Sequence, residues 1–266
     1  MAAFKPVSYH CCINSCCCFV GPHEKANTCP FCDEPCLKDG HPCKRFTYIP
    51  IIPQLVVYYK NADMIEAMLY CRTYTPNPNV MSDIFDSDNY TKLKDSHVTI
   101  GGKKLLLKFF SGLRDITLGL STDGIALFKR RKQTCWPLIL FNYNLPPEVH
   151  FHLQNILCVG VIPGPNKPKD FDSFQWPLVE ELLKFKIGVP AFDIRASEVF
   201  SLHAYLILNF GDMLAIVMVM QMKGHNALFP CHFCHINSTL PSHMGSGGFR
   251  WTPMECWNSI QNPPEW

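Results

Sequence analysis

The sequence lacks the features that mark several common classes of protein. Only 17% of its 266 residues are charged and the formal net charge is +2, which excludes a strongly basic surface, so any nucleic-acid contact must come from local patches. The first residues, MAAFKPVSYHCC, do not join a charged segment to an apolar one, which argues against a secretory signal peptide. No Walker loop, G-x-S-x-G elbow or H-E-x-x-H motif supports a nucleotide hydrolase, an esterase or a zincin.

Uninterrupted apolar runs of membrane-spanning length are also missing. The nearest candidate, FSLHAYLILNFGDMLAIVMVMQM from Phe200 to Met222, has Asp212 at its centre. A central Asp costs about 2.5–3.5 kcal/mol on insertion scales. We therefore predict a buried strand, a turn that carries Asp212 and a following helix, and we expect no membrane as a partner.

Cysteine, by contrast, is abundant and unevenly placed. Nine of the 15 Cys residues lie before residue 44. The odd total and the adjacent runs of Cys suit a disulfide framework poorly, so a reduced intracellular chain with metal sites is favoured over a secreted disulfide protein.

Two close pairs of N-terminal cysteines have the spacing of a zinc site. Cys12 and Cys16 are separated by three residues, Cys29 and Cys32 by two, and twelve residues lie between the pairs. Four such thiolates can surround Zn²⁺ tetrahedrally at about 2.3 Å. Further cysteines compete for the same role, namely Cys11, Cys17, Cys18, Cys36 and Cys43.

A second C-x2-C pair, Cys231 and Cys234, lies in KGHNALFPCHFCHI. His225 and His235 are close enough in sequence to complete a local zinc site. One pair supplies only half of a tetrahedral site, so structural cysteines without metal remain the alternative.

Composition divides the chain into four parts. The predicted parts are a Cys-rich module (1–53), a helical segment and linker (54–97), a segment of alternating strands and helices (98–236) and an irregular tail (237–266). Within them, FTYIPIIP from Phe46 to Pro53 predicts a strand or extended segment. The Pro-, Asn- and Asp-rich stretch between Thr75 and His97 predicts a linker or exposed loop.

The third part shows strand and helix patterns in a defined order. Phe174, Leu178, Leu182 and Phe185, spaced by four, four and three residues, predict a helix over 171–187 that Asp172 or Ser173 caps. Apolar runs predict three strands before this helix and one after it, at 115–120, 134–142, 156–162 and up to residue 212. This order predicts an α/β fold with a mixed sheet.

Two aspartates follow apolar strand-like runs beside a glycine. Asp123 lies in LGLSTDGIALF and Asp212 in LILNFGDMLAI. Acids at strand ends can together bind hard divalent cations, and two such metals about 3.5–4 Å apart can drive phosphodiester chemistry. The alternatives are an Asp-Gly turn at Asp123 and a helix cap at Asp212.

A basic run, Lys129, Arg130, Arg131 and Lys132, falls between two strand-like segments close to Asp123. A cationic loop at this place can contact DNA phosphates or serve in nuclear import. A solvated hairpin tip is the alternative interpretation.

Several long motifs resemble the transposases of CACTA-like DNA transposons, and most closely their Plavaka-type branch. They are, in chain order, KRFTYIPIIPQL, STDGIALFKRRKQTCWPLILFNYNLPPEV, CVGVIPGPNKPKDFDSFQWPLVEELLKFKIGVPAFD and FSLHAYLILNFGDMLAIVMVMQMKGHNALFPCHFC. The resemblance covers roughly residues 8–236. It implies an incomplete RNase H-like (DDE-type) domain behind a zinc-ribbon-like module, and metal-dependent cut-and-paste transposition in the nucleus. The implied cofactors are structural Zn²⁺ and catalytic Mg²⁺ or Mn²⁺, and the implied partners are transposon-end DNA and a second copy of the chain.

The resemblance also assigns roles to the acids. Asp123 corresponds to the first catalytic acid and Asp212 to the second, although Leu214 stands where the family usually has Pro. After Asp212 only Glu255 and Glu265 remain as carboxylates, and neither lies in a predicted helix, so the third acid is not found. We therefore expect a truncated, inactive copy. The alternative function is a non-enzymatic zinc-binding module that interacts with DNA or protein.

Overall fold

A computed structural model describes residues 5–77, 80–126 and 134–222. The chain forms two compact units, Met1–Phe210 and Gly211–Trp266. Three predictions lie outside the described residues: the basic run at 129–132, the pair Cys231 and Cys234, and the irregular tail at 237–266.

Thirteen strands and seven α-helices occupy the described residues. The strands are β1 (Val7–Cys11), β2 (Leu37–Lys38), β3 (His41–Pro42), β4 (Lys44–Tyr48), β5 (His97–Ile100), β6 (Lys103–Lys108), β7 (Ile116–Thr122), β8 (Ile125–Ala126), β9 (Thr134–Asn142), β10 (Leu157–Pro163), β11 (Val189–Asp193), β12 (Glu198–Leu202) and β13 (Ala204–Phe210). The helices are α1 (Ile51–Tyr58), α2 (Ala62–Ala67), α3 (Tyr70–Thr73), α4 (Asp88–Asp95), α5 (Pro147–His150), α6 (Phe171–Ile187) and α7 (Met213–Val219).

The main sheet is mixed, which confirms the predicted α/β fold with a mixed sheet. Its strand order is β1-β4-β10-β9-β7-β13, and β8 also pairs with β9. Every pairing is antiparallel except that of β13, which runs parallel to β7. Three smaller two-stranded sheets are formed by β2-β3, β5-β6 and β11-β12.

Helix α6 has the bounds that its apolar spacing predicts. Phe174, Leu178 and Phe185 are buried, and Leu182 is half-buried. Its cap differs slightly from the prediction, because the carboxylate of Asp170 accepts the N–H of Ser173 at 3.2 Å. The helix ends at Gly188, whose φ of 112° is a conformation that other residues rarely adopt.

The stretch between Thr75 and His97 is more ordered than the predicted linker or exposed loop. It contains a 3-10 helix, Ile84–Asp86, and α4. Phe85 and Tyr90 are buried there with their ring centroids 4.9 Å apart. Apolar burial of these aromatic rings offsets the turn-forming composition, which explains the difference.

The predicted extended segment from Phe46 to Pro53 also ends early, since α1 begins at Ile51. Pro53 lies in the first helical turn, where its missing N–H costs no intrahelical bond. The buried carboxylate of Glu181 in α6 accepts the N–H groups of Ile51 at 2.7 Å and Ile52 at 3.3 Å. A partner about 130 residues away therefore stabilises this helix start.

No helix within the described parts of the chain is long and apolar enough to cross a membrane. The stretch from Phe200 to Met222 instead contributes β13, the turn at Asp212 and the seven-residue α7, as predicted.

Candidate metal centre and candidate acids

The structure brings together the four cysteines of the predicted N-terminal zinc site. The sulfur atoms of Cys12, Cys16, Cys29 and Cys32 all lie within 4.8 Å of one another. The first three residues are buried and Cys32 is half-buried. Sulfurs bound tetrahedrally at about 2.3 Å from Zn²⁺ lie about 3.8 Å apart, and the Sγ atoms of Cys12 and Cys32 are separated by 3.5 Å. The cluster thus fits a four-thiolate metal ion.

Each pair of cysteines is held by a tight reversal of the backbone. The N–H of Ser15 donates to the carbonyl of Cys12 at 2.8 Å, and that of Asp33 donates to the carbonyl of Cys29 at 2.9 Å. Ser15 and Asp33 adopt the left-handed conformation, with φ of 63° and 59°. These turns point both thiols of a pair to the same side, which the C-x3-C and C-x2-C spacings permit.

The thiols differ in how readily they ionise. Burial raises the pKa of Cys12 and of Cys16. Burial also opposes ionisation of Cys32, but hydrogen bonds outweigh it, first that of the backbone near Glu34 and then that of the Asn14 side chain, and lower the pKa of Cys32 to about 7. A bound metal would displace the remaining thiol protons, since thiolates are the ligands.

The competing cysteines lie near the centre without joining it. Cys17 is buried, with its Sγ 3.9 Å from that of Cys29. The backbones of Cys11 and Cys18 form an isolated antiparallel β-bridge, and both thiols are free. The Cys18 thiol donates to the carbonyl of His10 at 3.4 Å. Across the described residues, the four-cysteine group is the one set of three or more Cys, His, Asp or Glu side chains close enough to share an ion. No carboxylate cluster for Mg²⁺ or Mn²⁺ is found among them.

The candidate metal centre is attached to the segment that leads into α6. The carbonyl of Cys16 accepts the N–H groups of Lys169 at 3.0 Å and Asp170 at 2.8 Å. The N–H of Cys18 donates to the Ser173 hydroxyl at 2.9 Å, and the His23 ring lies 2.7 Å from the Asp170 carboxylate. Sequence reasoning missed these contacts because no local signal links residues about 150 positions apart.

Asp123 lies between β7 and β8, where the backbone continues in the same direction and makes no turn. Thr122 pairs with Leu138 of β9, and three residues later Ile125 pairs with Cys135, so the register is continuous. The Asp-Gly turn is therefore wrong as an interpretation. Continuing this register places Asp123 opposite Pro137, which has no N–H to donate, and this explains the break in the ladder.

The glycine after Asp123 is required by packing. A Cβ at Gly124 would lie 2.8 Å from a ring carbon of Trp136, closer than side-chain atoms normally approach. Asp123 itself is exposed. The Asp-Gly motif thus consists of an exposed acid and a glycine whose missing side chain leaves room for the indole ring of Trp136.

Asp212 precedes α7 in the second unit and caps it. Its carboxylate accepts the N–H of Ala215 at 2.7 Å, so the capping role left open by the sequence is present. In the first unit, Phe210 pairs with Ser121 across β13 and β7. Each of these paired residues comes two positions before one of the candidate acids.

Comparison with known proteins identifies the family. A sequence model of the transposase family tnp2 matches residues 97–248. No curated protein and no solved structure matches the chain. Because the matched segment is more than half of the sequence, the chain belongs to the transposase family tnp2.

Proposed function

We propose that this chain derives from a transposase of the CACTA-like, Plavaka-type group, in which an RNase H-like domain cuts and joins transposon-end DNA in the nucleus. In this proposal Asp123 and Asp212 are the metal-binding acids, and the chain itself is inactive because a third catalytic acid is not found in its sequence. The pairing of β7 with β13 is the observation that carries the proposal.

The order and direction of the strands support an RNase H-like sheet. Strands β7, β9 and β10 are consecutive and antiparallel, α6 follows, and β13 returns to pair parallel with β7. The RNase H-like expectation places the first acid on the first strand and the second near the end of the fourth. Asp123 follows β7 directly, and Asp212 comes two residues after β13.

The chemistry of the two acids fits this assignment. Asp123 is exposed, as an acid that binds a cation from solution would be. Asp212 uses one carboxylate oxygen, Oδ1, to cap α7, and in this proposal the second oxygen, Oδ2, binds the cation. Divalent cations held by such acids would activate a hydroxyl nucleophile and stabilise the leaving oxygen of a phosphodiester.

Structural zinc belongs to the same proposal. Four thiols within 4.8 Å of one another in a family of DNA-processing proteins support Zn²⁺ at Cys12, Cys16, Cys29 and Cys32. A second zinc site at Cys231 and Cys234, and DNA contacts from residues 129–132, remain proposals from the sequence.

Nicking of supercoiled DNA in Mn²⁺ tests the enzymatic proposal. If the chain nicks DNA, Asp123→Asn and Asp212→Asn should each lower the nicking rate at least ~100-fold, since removing an acid removes transition-state charge stabilisation. Asp39→Asn is the matched control, because Asp39 is exposed and has a φ of 52° that Asn tolerates.

Nicking that both substitutions abolish would show that a further acid completes the site and that the chain is active. Absence of nicking by the wild-type chain is the result we expect, because the third acid is not found. The non-enzymatic zinc-binding module would then be favoured, because the cysteine cluster and its contacts with the start of α6 do not depend on the acids. Bound zinc measured on the same sample would separate that outcome from a misfolded preparation.

A further inference from the structure

The β5-β6 hairpin is a two-stranded sheet that forms no strand pairing with the described strands of the main sheet. We call His97–Lys108 the basic ribbon, because it contains Lys103, Lys104 and Lys108 and no acidic residue. The family match begins at its first residue. The ribbon therefore lies within the part of the chain that matches the transposase family.

The two faces of the basic ribbon differ in polarity. On the inner face Val98 is fully buried, and Leu105 and Leu107 pack against a cluster that contains Phe110 and Tyr205. The outer face of β6 carries Lys104, Leu106 and Lys108, which all are exposed, and Leu106 is 99% exposed. The inner face thus anchors the ribbon and leaves the outer face available for a partner.

The tip of the ribbon is also unobstructed. Gly101 and Gly102 form the turn with φ of 54° and 77°, and no atom of the described residues lies within 4 Å of a Cβ built on either. Thr99 lies opposite Lys104, and His97 lies opposite Lys108. A two-stranded ribbon of this kind is narrow enough to enter the major groove of DNA.

We propose that the outer face of the basic ribbon binds the phosphate backbone of duplex DNA. The proposal rests on the proposed function and adds a contact surface to it. Charge complementarity selects this partner, because the outer face presents Lys104 and Lys108 and no acid to a polymer with one negative charge per about 1.7 Å of helix axis. Lys103 adds a third positive charge next to the turn. Lys92 and Lys94, exposed near the end of α4, add positive charge, and Asp88 and Asp95 of the same helix partly offset it.

The chain that follows the ribbon packs beside the strands that lead to Asp123. Phe110, two residues after the ribbon, has its ring centroid 5.0 Å from that of Tyr205, which pairs with Thr117 of β7. Asp123 lies six residues beyond Thr117, about 20 Å along an extended strand.

Salt-dependent DNA binding by the full chain tests the proposal. The probe is a fluorescent 30-base-pair duplex whose anisotropy is measured over a series of KCl concentrations. We expect the double variant Lys104→Ala/Lys108→Ala to bind about 10-fold more weakly at 0.1 M salt. The slope of log K against log salt should fall by about 1.8, which corresponds to two lost phosphate contacts.

Matched variants make the outcome specific. Lys25→Ala/Lys60→Ala removes the same charge from exposed positions outside the ribbon, and we expect it to keep the wild-type slope. Leu106→Lys should steepen the slope by about 0.9, since it adds a phosphate contact between the two lysines. Circular dichroism of each variant verifies that it is folded.

The outcomes separate this inference from the proposed function. A wild-type chain that binds no DNA would overturn both. DNA binding with equal slopes for the ribbon variant and the control variant would overturn the ribbon alone. Weaker DNA binding by Leu106→Lys would also overturn the ribbon proposal. The same holds if the ribbon variants change the oligomeric mass of the chain and leave its DNA affinity unchanged, because the outer face would then bind a protein partner.

Discussion

At the scale of single residues, four cysteines distinguish the N-terminal module from the rest of the chain. Cys12, Cys16, Cys29 and Cys32 converge although nine cysteines crowd the first 43 residues. The turns at Ser15 and Asp33 decide which thiols converge, because each turn orients the two members of one pair. Among the neighbouring thiols, that of Cys18 donates to the carbonyl of His10, and that of Cys17 contacts the Sγ of Cys29 from outside the group of four.

Zinc content measured by mass spectrometry tests the assignment of these four cysteines as the zinc ligands. We expect the purified chain to hold one zinc ion at this centre and Cys16→Ser to lose it, because three thiolates leave the tetrahedral site incomplete. Cys43→Ser, which replaces a half-buried cysteine outside the cluster, should retain that zinc. Equal zinc loss in both variants would contradict the ligand assignment.

At the scale of elements, the β11-β12 hairpin is fixed by a buried carboxylate. Asp193 accepts the backbone N–H groups of Arg195 at 2.9 Å and Ala196 at 3.0 Å, and the Nε of Arg114 at 2.7 Å. Burial would raise the pKa of Asp193, but these hydrogen bonds and the Arg114 charge outweigh burial and lower it. The ionised carboxylate is therefore the form that stabilises the hairpin.

The sign of this shift predicts a loss of stability in acid. A folded-state pKa below the unfolded value, about 3.9 for Asp, contributes stability that is present above that value. This stability is lost as the pH falls through the lower folded-state pKa. Urea unfolding between pH 7 and pH 2.5 should show the loss.

Asp193→Asn should lower the free energy of unfolding at pH 7 by about 2–4 kcal/mol, because it leaves Arg114 with a weaker partner. It should also flatten the decline in acid. Glu198→Gln, which changes the exposed second partner of Arg114, should cost less than about 1 kcal/mol. An unchanged acid decline in Asp193→Asn would show that other groups cause it.

At the scale of the whole molecule, the cysteine-rich region and the transposase segment share one sheet. Strand β4 pairs with β1 on one side and with β10 on the other. Backbone contacts also join Cys16 to Lys169 and Asp170 before α6. The first 53 residues are therefore joined to the main sheet by hydrogen bonds as well as by the chain.

Removal of the metal should consequently destabilise strands of the main sheet as well as the cysteine-rich region. We expect a strong chelator to increase amide hydrogen exchange in β10 as well as in β1 and β4, since the strands share hydrogen bonds. The β11-β12 hairpin, which pairs with no strand of the main sheet, serves as the internal reference. Faster exchange confined to residues 12–43 would contradict this coupling.

The sequence by itself determined the features that depend on local pattern. The spacing of Phe174, Leu178 and Phe185 predicted α6, and the alternation of apolar runs predicted the mixed sheet, because side-chain periodicity reflects which face is buried. The motifs around Asp123 and Asp212 also predicted the transposase family, which the match over residues 97–248 confirms. Side-chain chemistry and spacing along the chain are sufficient for these conclusions.

Only the tertiary structure decided the features that depend on contacts between distant residues. It showed that β13 pairs with β7, that Glu181 stabilises the start of α1, and that the chain does not turn at Asp123. It also placed Phe85 and Tyr90 in a core where the composition predicted a loop. Pairing register, distant caps and aromatic packing arise only when separate segments meet, and no local pattern encodes which segments will do so.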